Sequence, residues 1–257
     1  MKNKILIPLA LLCITILTNG CKDKKVEVTP GNQTQNATLR VVPTVGSSLM
    51  NFTSVNTTAS GQKYTLSSLR YYVSNVRLVK ADGTEYPIAG KYFLVNPATY
   101  DYDLGTVPVG DYKGIKFAVG IDSETNHKDP TVYPSNNPLA IQSPAIHWSW
   151  NSGYIFMMLE GSCDTTATNV DVLTYGQYSH GMFFHIGMDP LYREVDLSNS
   201  PFSVSAATPK TITMVSDVNK IFTNIDLRTE NGSHTMGTMP LATRVANNIP
   251  TMFTVIQ

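Results

Sequence analysis

Alternation is what most restricts this chain. Along residues 114–122, Ile115, Phe117, Val119 and Ile121 fall on one side and Lys116, Ala118 and Gly120 on the other. That period of two is the signature of a half-buried strand. Residues 71–79 repeat it and run into the turn Ala81-Asp82-Gly83. Residues 92–95, 154–160, 182–186 and 211–215 read likewise, as do 38–45 and 202–206 in weaker form. Asn96-Pro97, Asp129-Pro130, Asn137-Pro138 and Asp189-Pro190 mark loops between them. Helical stripes are few: 65–69 and 217–222 each read as one short turn. Many short strands cut by turns predict an all-β chain, an antiparallel β-sandwich of the Greek-key or immunoglobulin-like kind with long functional loops. Each strand should bury one face and leave the other polar.

The N-terminal segment carries a different pattern. Lys2 and Lys4 precede an apolar, uncharged run over 5–17, which ends at Leu17-Thr18-Asn19-Gly20-Cys21. A basic start, a short apolar stretch and small residues before a break make a secretory signal. The run is short for a membrane span, which needs about 20 residues. Gly20 before Cys21 resembles a lipobox, in which Cys21 is lipidated and becomes the new N-terminus. The plainer alternative is an ordinary cleaved signal, but the polar stretch 22–37 that follows suits a tether, with too little apolar surface to offset its ordering entropy. The expected organisation is a lipoprotein signal over 1–20, a flexible tether over 21–37 and one β-sandwich domain over 38–257. The product is expected to be exported and lipid-anchored in the outer membrane or another periplasm-facing membrane. Of the 3 Cys, only Cys163 then remains, so the mature monomer forms no internal disulfide and relies on its core.

Charge and motifs exclude several functions. With 19 Lys+Arg against 19 Asp+Glu the net charge is zero, which argues against nucleic acid as a partner. Gly-x-Ser-x-Gly, His-Glu-x-x-His and a phosphate-binding glycine loop are all missing from the sequence. Asp122 and Glu124 have no arrangement that pairs them as acid and base. The chain is not expected to be an enzyme.

Two long connections, 122–150 and 163–181, hold His127, His147 and His180. Loops of this length in a compact domain are usually functional or mobile. Beside them lies His147-Trp148-Ser149-Trp150-Asn151-Ser152-Gly153-Tyr154, with both tryptophans of the chain, followed by Met157, Met158, Glu160 and Gly161. Downstream comes Gly181-Met182-Phe183-Phe184-His185-Ile186-Gly187-Met188. Two imidazoles on neighbouring strands close to thioethers suit copper better than a hard cation. The plain alternative is core filler, the usual role of strand methionines and aromatics. In a regular strand His147 and Trp148 point to opposite faces while Trp148 and Trp150 share one, so a site using His147 with either tryptophan needs irregular backbone. His185 shares a face with Phe183 and opposes Phe184 and Ile186.

Five segments resemble the MbnP-like family of copper-binding periplasmic proteins. They are Leu69-Arg70-Tyr71-Tyr72-Val73-Ser74-Asn75-Val76-Arg77-Leu78, Gly114-Ile115-Lys116-Phe117-Ala118-Val119-Gly120-Ile121-Asp122, His147-Trp148-Ser149-Trp150 with Gly153-Tyr154, Leu159-Glu160-Gly161 and Phe184-His185-Ile186-Gly187. They fall in order across most of the mature chain. The resemblance implies one copper ion, Cu(I) or Cu(II), held by two histidines and a kynurenine made by oxidising a tryptophan. A MauG-like dihaem oxidase or peroxidase is the implied oxidant. Carried onto this sequence, the ligands are His147, His185 and one oxidised tryptophan, Trp148 or Trp150. Intact indole offers only an N–H donor, whereas the opened ring exposes an aryl amine.

The remaining candidates are weaker. His127 reads as solvated, His180 as exposed or supporting His185, and His234 as a surface-loop residue that could also touch copper. Asp101 and Asp103 hint at calcium without an EF-hand pattern. The rival function is a non-metal surface lipoprotein that binds glycan or protein by stacking on Tyr71, Tyr72, Trp148, Trp150 and Tyr154.

Overall fold

The structure, a computed structural model, describes residues 33–148, 153–166 and 180–256, with His180 described by its backbone alone. The expected signal, Cys21 and residues 22–32 of the tether lie outside the described residues. The first strands are β1 (Thr34–Val45), β2 (Ser48–Leu49), β3 (Asn56–Thr57) and β4 (Lys63–Lys80). Then come β5 (Glu85–Pro87), β6 (Phe93–Val95), β7 (Asp101–Pro108) and β8 (Gly110–Val119). A long connection opening with helix α1 (Ser123–Asn126) leads to β9 (His147–Trp148), β10 (Gly153–Cys163) and β11 (His180–Gly187). Last are β12 (Arg193–Leu197), β13 (Phe202–Val204), β14 (Lys210–Asp217), β15 (Gly232–Ser233), helix α2 (Met239–Asn248) and β16 (Phe253–Ile256).

Two sheets face each other. One runs β16-β14-β1-β2 with β7 also on β1, and the other runs β12-β8-β4-β10-β11-β15. Leu39, Val41, Ile212 and Met214 of the first meet Tyr71, Val73, Phe117, Leu159 and Phe184 of the second in one core. Burying each such side chain contributes roughly 1.5–3 kcal/mol. The Tyr71 hydroxyl donates to Ser216 Oγ across the layers at 2.9 Å. Phe253 sets its ring edge-on to Phe117 at 5.0 Å. Cys163 is buried outside any disulfide, its thiol donating to Leu227 O at 3.4 Å.

The fold is therefore an all-β sandwich, and four expectations need correction. It is mixed rather than antiparallel, because β1 pairs with β14, and β11 with β15, in parallel. Period-two alternation fixes which face is buried but says nothing about strand direction. The tether ends sooner than residue 37: β1 begins at Thr34 and Ala37 is already buried against the sheet. Residues 65–69 are strand, not a turn. At Ser67 the strand bulges, since Glu160 faces Ser68 while Gly161 faces Leu66. The extra residue turns Leu66 and Leu69, three apart, into the same core. Gly161 is required opposite this bulge, because a Cβ there would lie 1.9 Å from the Thr65 carbonyl oxygen.

The fourth correction concerns the outer face of the central sheet, which is not polar. The described part of the connection, 122–148, folds back onto it. Leu139, Ile146 and Trp148 pack with Tyr72, Ile121, Tyr154, Ile155, Phe156 and Met158 in a second core. Tyr154 Oη donates to Leu139 O at 2.6 Å and Tyr72 Oη to Pro138 O at 3.0 Å. Asp122 caps α1 by accepting from Thr125 N at 3.0 Å. The turn expected at 217–222 is present as a 3-10 helix, Val218–Phe222, capped by Asp217.

Candidate metal centre

The second core is what positions the histidines. The two-residue strand β9 pairs with β10, His147 opposite Tyr154 and Trp148 opposite Gly153. His147 is half-buried with its ring edge-on to Tyr154 at 4.9 Å. Burial lowers its pKa below 6.5, partly countered by the nearby Asp129 carboxylate. Trp148 is buried with its indole over Gly187, where a Cβ would come within 2.6 Å of Trp148 Cζ3. Both side chains thus end in the same outer layer, which a regular strand would not allow. Trp150 and Ser149 lie outside the described residues.

On β11, Phe184 and Ile186 point into the main core, while His185, opposite Met158, faces outward. His185 and Gly187 share that face by alternation, so the Trp148 ring sits two residues along the strand from His185. His147 and His185 stand opposite Tyr154 and Met158 of β10. Among the described residues no hydrogen bond or ring contact joins them. His185 Nε2 lies 2.8 Å from Glu160 Oε1. Burial lowers the His185 pKa below 6.5, Glu160 opposes this and His234 adds to it.

The residue that sequence reasoning left open is His234. β15 runs parallel to β11, with Ser233 beside Phe184, which brings the following His234 next to His185. Their Nδ1 atoms are 3.0 Å apart. The His234 ring stacks on Phe183 with centroids 4.4 Å apart. A short parallel strand two residues long leaves no periodicity to find, so only the composition of Gly232-Ser233-His234-Thr235 marked it.

Other sequence candidates fall elsewhere. His127 is exposed, with Nε2 3.1 Å from Asp189 Oδ2, and Asn126 Nδ2 donates to the same carboxylate at 2.8 Å. Residues Asn126, His127, Trp148, Gly153, Met188, Asp189 and Pro190 line a cavity of about 130 Å³ at the Trp148 ring. Asp101 is paired with Arg40 at 2.6 Å and Asp103 with Lys91 at 2.8 Å, so the pair that hinted at calcium is engaged in ion pairs. Tyr71, Tyr72, Tyr154 and Trp148 are buried, which removes them from the stacking surface of the rival reading. Among the described residues no three His, Cys, Asp or Glu side chains form a metal-ligand set. A third protein ligand beside two imidazoles would have to be a donor of another kind.

Comparison with known proteins agrees with this architecture. The MbnP family model matches residues 34–239. The structure is similar to MbnP from Methylosinus trichosporium, with a TM-score of 0.59, 18% identity, 87% of this chain covered and 98% of that one. At that identity the likeness is one of fold. No curated protein matches the chain significantly.

Proposed function

The chain belongs to the MbnP family, and from that premise we propose that it is a periplasm-facing lipoprotein binding a single copper ion for storage, delivery or homeostasis. The ligands are His147, His185 and a kynurenine derived from Trp148 or Trp150. One observation carries the reading: the Trp148 indole rests on Gly187, on the outward face that also carries His185, while His147 adjoins Trp148 in sequence and in space.

The residues present fit copper. Neutral imidazole is a good ligand for it, and burial keeps both histidines neutral to lower pH. Glu160 on His185 Nε2 is the outer carboxylate that orients a ligating imidazole and raises its basicity. Bound copper would supply a soft, low-coordinate centre. Oxidation opens the indole C2–C3 bond with two oxygen atoms from two peroxide molecules, each otherwise reduced to water. Hydrolysis then releases C2 as formate and leaves the aryl amine and a ketone. A MauG-like dihaem protein is the proposed oxidant, and the cavity beside Trp148 supplies an opening toward the ring.

Copper titration against a competing chelator, on protein isolated with and without that partner, tests the reading. His147→Ala and His185→Ala should each abolish tight binding to the modified protein, and His127→Ala should leave it unchanged. Equal affinity in wild type and both ligand variants would refute it.

A further inference from the structure

We propose that His234 is a metal ligand, and that the Nδ1 atoms of His185 and His234 form a two-imidazole chelate which binds a borderline or soft ion before any tryptophan is oxidised. This goes beyond the copper reading and does not depend on kynurenine.

The protonation pattern comes first. Glu160 Oε1 sits 2.8 Å from His185 Nε2, and an ionised carboxylate can only accept. The proton of neutral His185 is therefore on Nε2, and its Nδ1 carries a lone pair. That lone pair faces His234 Nδ1 at 3.0 Å, so in the metal-free protein His234 must hold a proton there to make the contact favourable. An ion that displaces this proton meets two lone pairs on facing rings. Two imidazole nitrogens about 2.0–2.1 Å from one ion lie roughly 3.3–3.6 Å apart at ordinary bond angles. The pair needs to open by only a few tenths of an ångström.

The way His234 is held supports a ligand role. His234, an exposed residue, is not left loose: its ring is stacked on Phe183. The next residue, Thr235, is fully buried at φ 68 and ψ −73, a costly conformation for a β-branched side chain. Met236 N donates to His234 O at 2.9 Å, closing a γ-turn of the rare positive-φ kind. Thr235 Oγ1 then donates to His185 O at 2.7 Å and accepts from Gly187 N at 3.2 Å. One strained residue thus clamps the loop to β11 on either side of Ile186, immediately after His185. A surface loop with no task at that position has no reason to keep such a turn. Carboxylate behind one ring, aromatic stack behind the other and a strained clamp between them are the arrangement that fixes two ligands in advance. Among divalent ions copper should bind most tightly, with zinc weaker.

The test uses the full-length protein with its tryptophans unmodified, verified by intact mass, and Cu(II) or Zn(II) as the probe against a chelator. One ion should bind per chain. His185→Gln and His234→Gln should each weaken binding at least tenfold, and His127→Gln, at an exposed residue paired with Asp189, should leave it unchanged. Imidazole ¹⁵N spectra should show both Nδ1 atoms metallated. Absence of stoichiometric binding in wild type, wild-type affinity in His234→Gln, or metallation at Nε2 would overturn the assignment. In modified protein the two readings separate: loss in His147→Gln alone among the His147 and His234 variants supports only the copper site proposed above, and loss in His234→Gln alone supports only the chelate.

Discussion

The Trp148 indole lies directly over Gly187, with Cζ3 2.6 Å and Cη2 2.7 Å from where a Gly187 side chain would begin. The Tyr154 carbonyl oxygen is also 2.6 Å from that point, so backbone as well as side chain blocks any larger residue. Gly187→Ala should therefore destabilise the fold by about 1–3 kcal/mol and displace the indole. Denaturant unfolding and tryptophan fluorescence would register both changes. An unperturbed spectrum at wild-type stability would show that Trp148 does not occupy this position.

Acid should loosen the outer layer. His147 and His185 both have pKa values lowered by burial from 6.5. Between the lowered folded values and 6.5 the unfolded chain binds more protons, so stability is complete above about pH 6.5 and declines as pH falls below it. Thermal melts of metal-free protein from neutrality to about pH 5 should show this decline, and His185→Gln should make it shallower. A flat profile for wild type would contradict the burial of these rings.

The clamp at Thr235 can be tested without touching a histidine. Thr235→Val keeps the shape but removes the hydroxyl that bonds His185 O and Gly187 N. Leaving those buried groups unsatisfied should cost about 1–3 kcal/mol. Thr235→Ser retains the hydroxyl and should recover most of the loss. If Val and Ser unfold alike, the hydroxyl contributes nothing to the clamp.

Anchoring is expected to depend on Cys21. Single acyl chains hold proteins to membranes only marginally, whereas a multiply acylated cysteine should hold firmly. Cys21→Ser should move the protein from the membrane fraction to the soluble periplasmic or medium fraction. Retention in the membrane pellet would defeat the lipoprotein assignment.

How much of this was legible in the sequence depends on where the physical signal is local. Alternation in 114–122 and 71–79 placed β8 and the second half of β4 because a half-buried strand writes itself into neighbouring residues. Leu66 and Leu69 misled because a bulge at Ser67 gives a spacing of three, which mimics a helical turn. Ala118 and Gly120 read as an open face because small residues look alike in water and under a covering loop. β7 was missed as a strand, its acidic residues Asp101 and Asp103 drawing the reading toward cation binding. At the candidate site, His185 and its outward direction followed from Phe184 and Ile186 on either side. His234 did not follow, since its place beside His185 comes from a parallel contact between segments 49 residues apart. Sequence spacing carries no trace of such a contact.

β1 is bonded along both edges, residues 37–44 against 210–217 of β14 on one side and β7 and β2 on the other. Tension arriving from the N-terminal side therefore runs lengthwise through a strand gripped from two directions. Its hydrogen bonds are loaded in shear and must yield together, whereas a hairpin pulled crosswise opens rung by rung. A domain moored at that end transmits drag into the middle of a sheet, and mechanical unfolding cannot begin by unzipping the strand nearest the mooring.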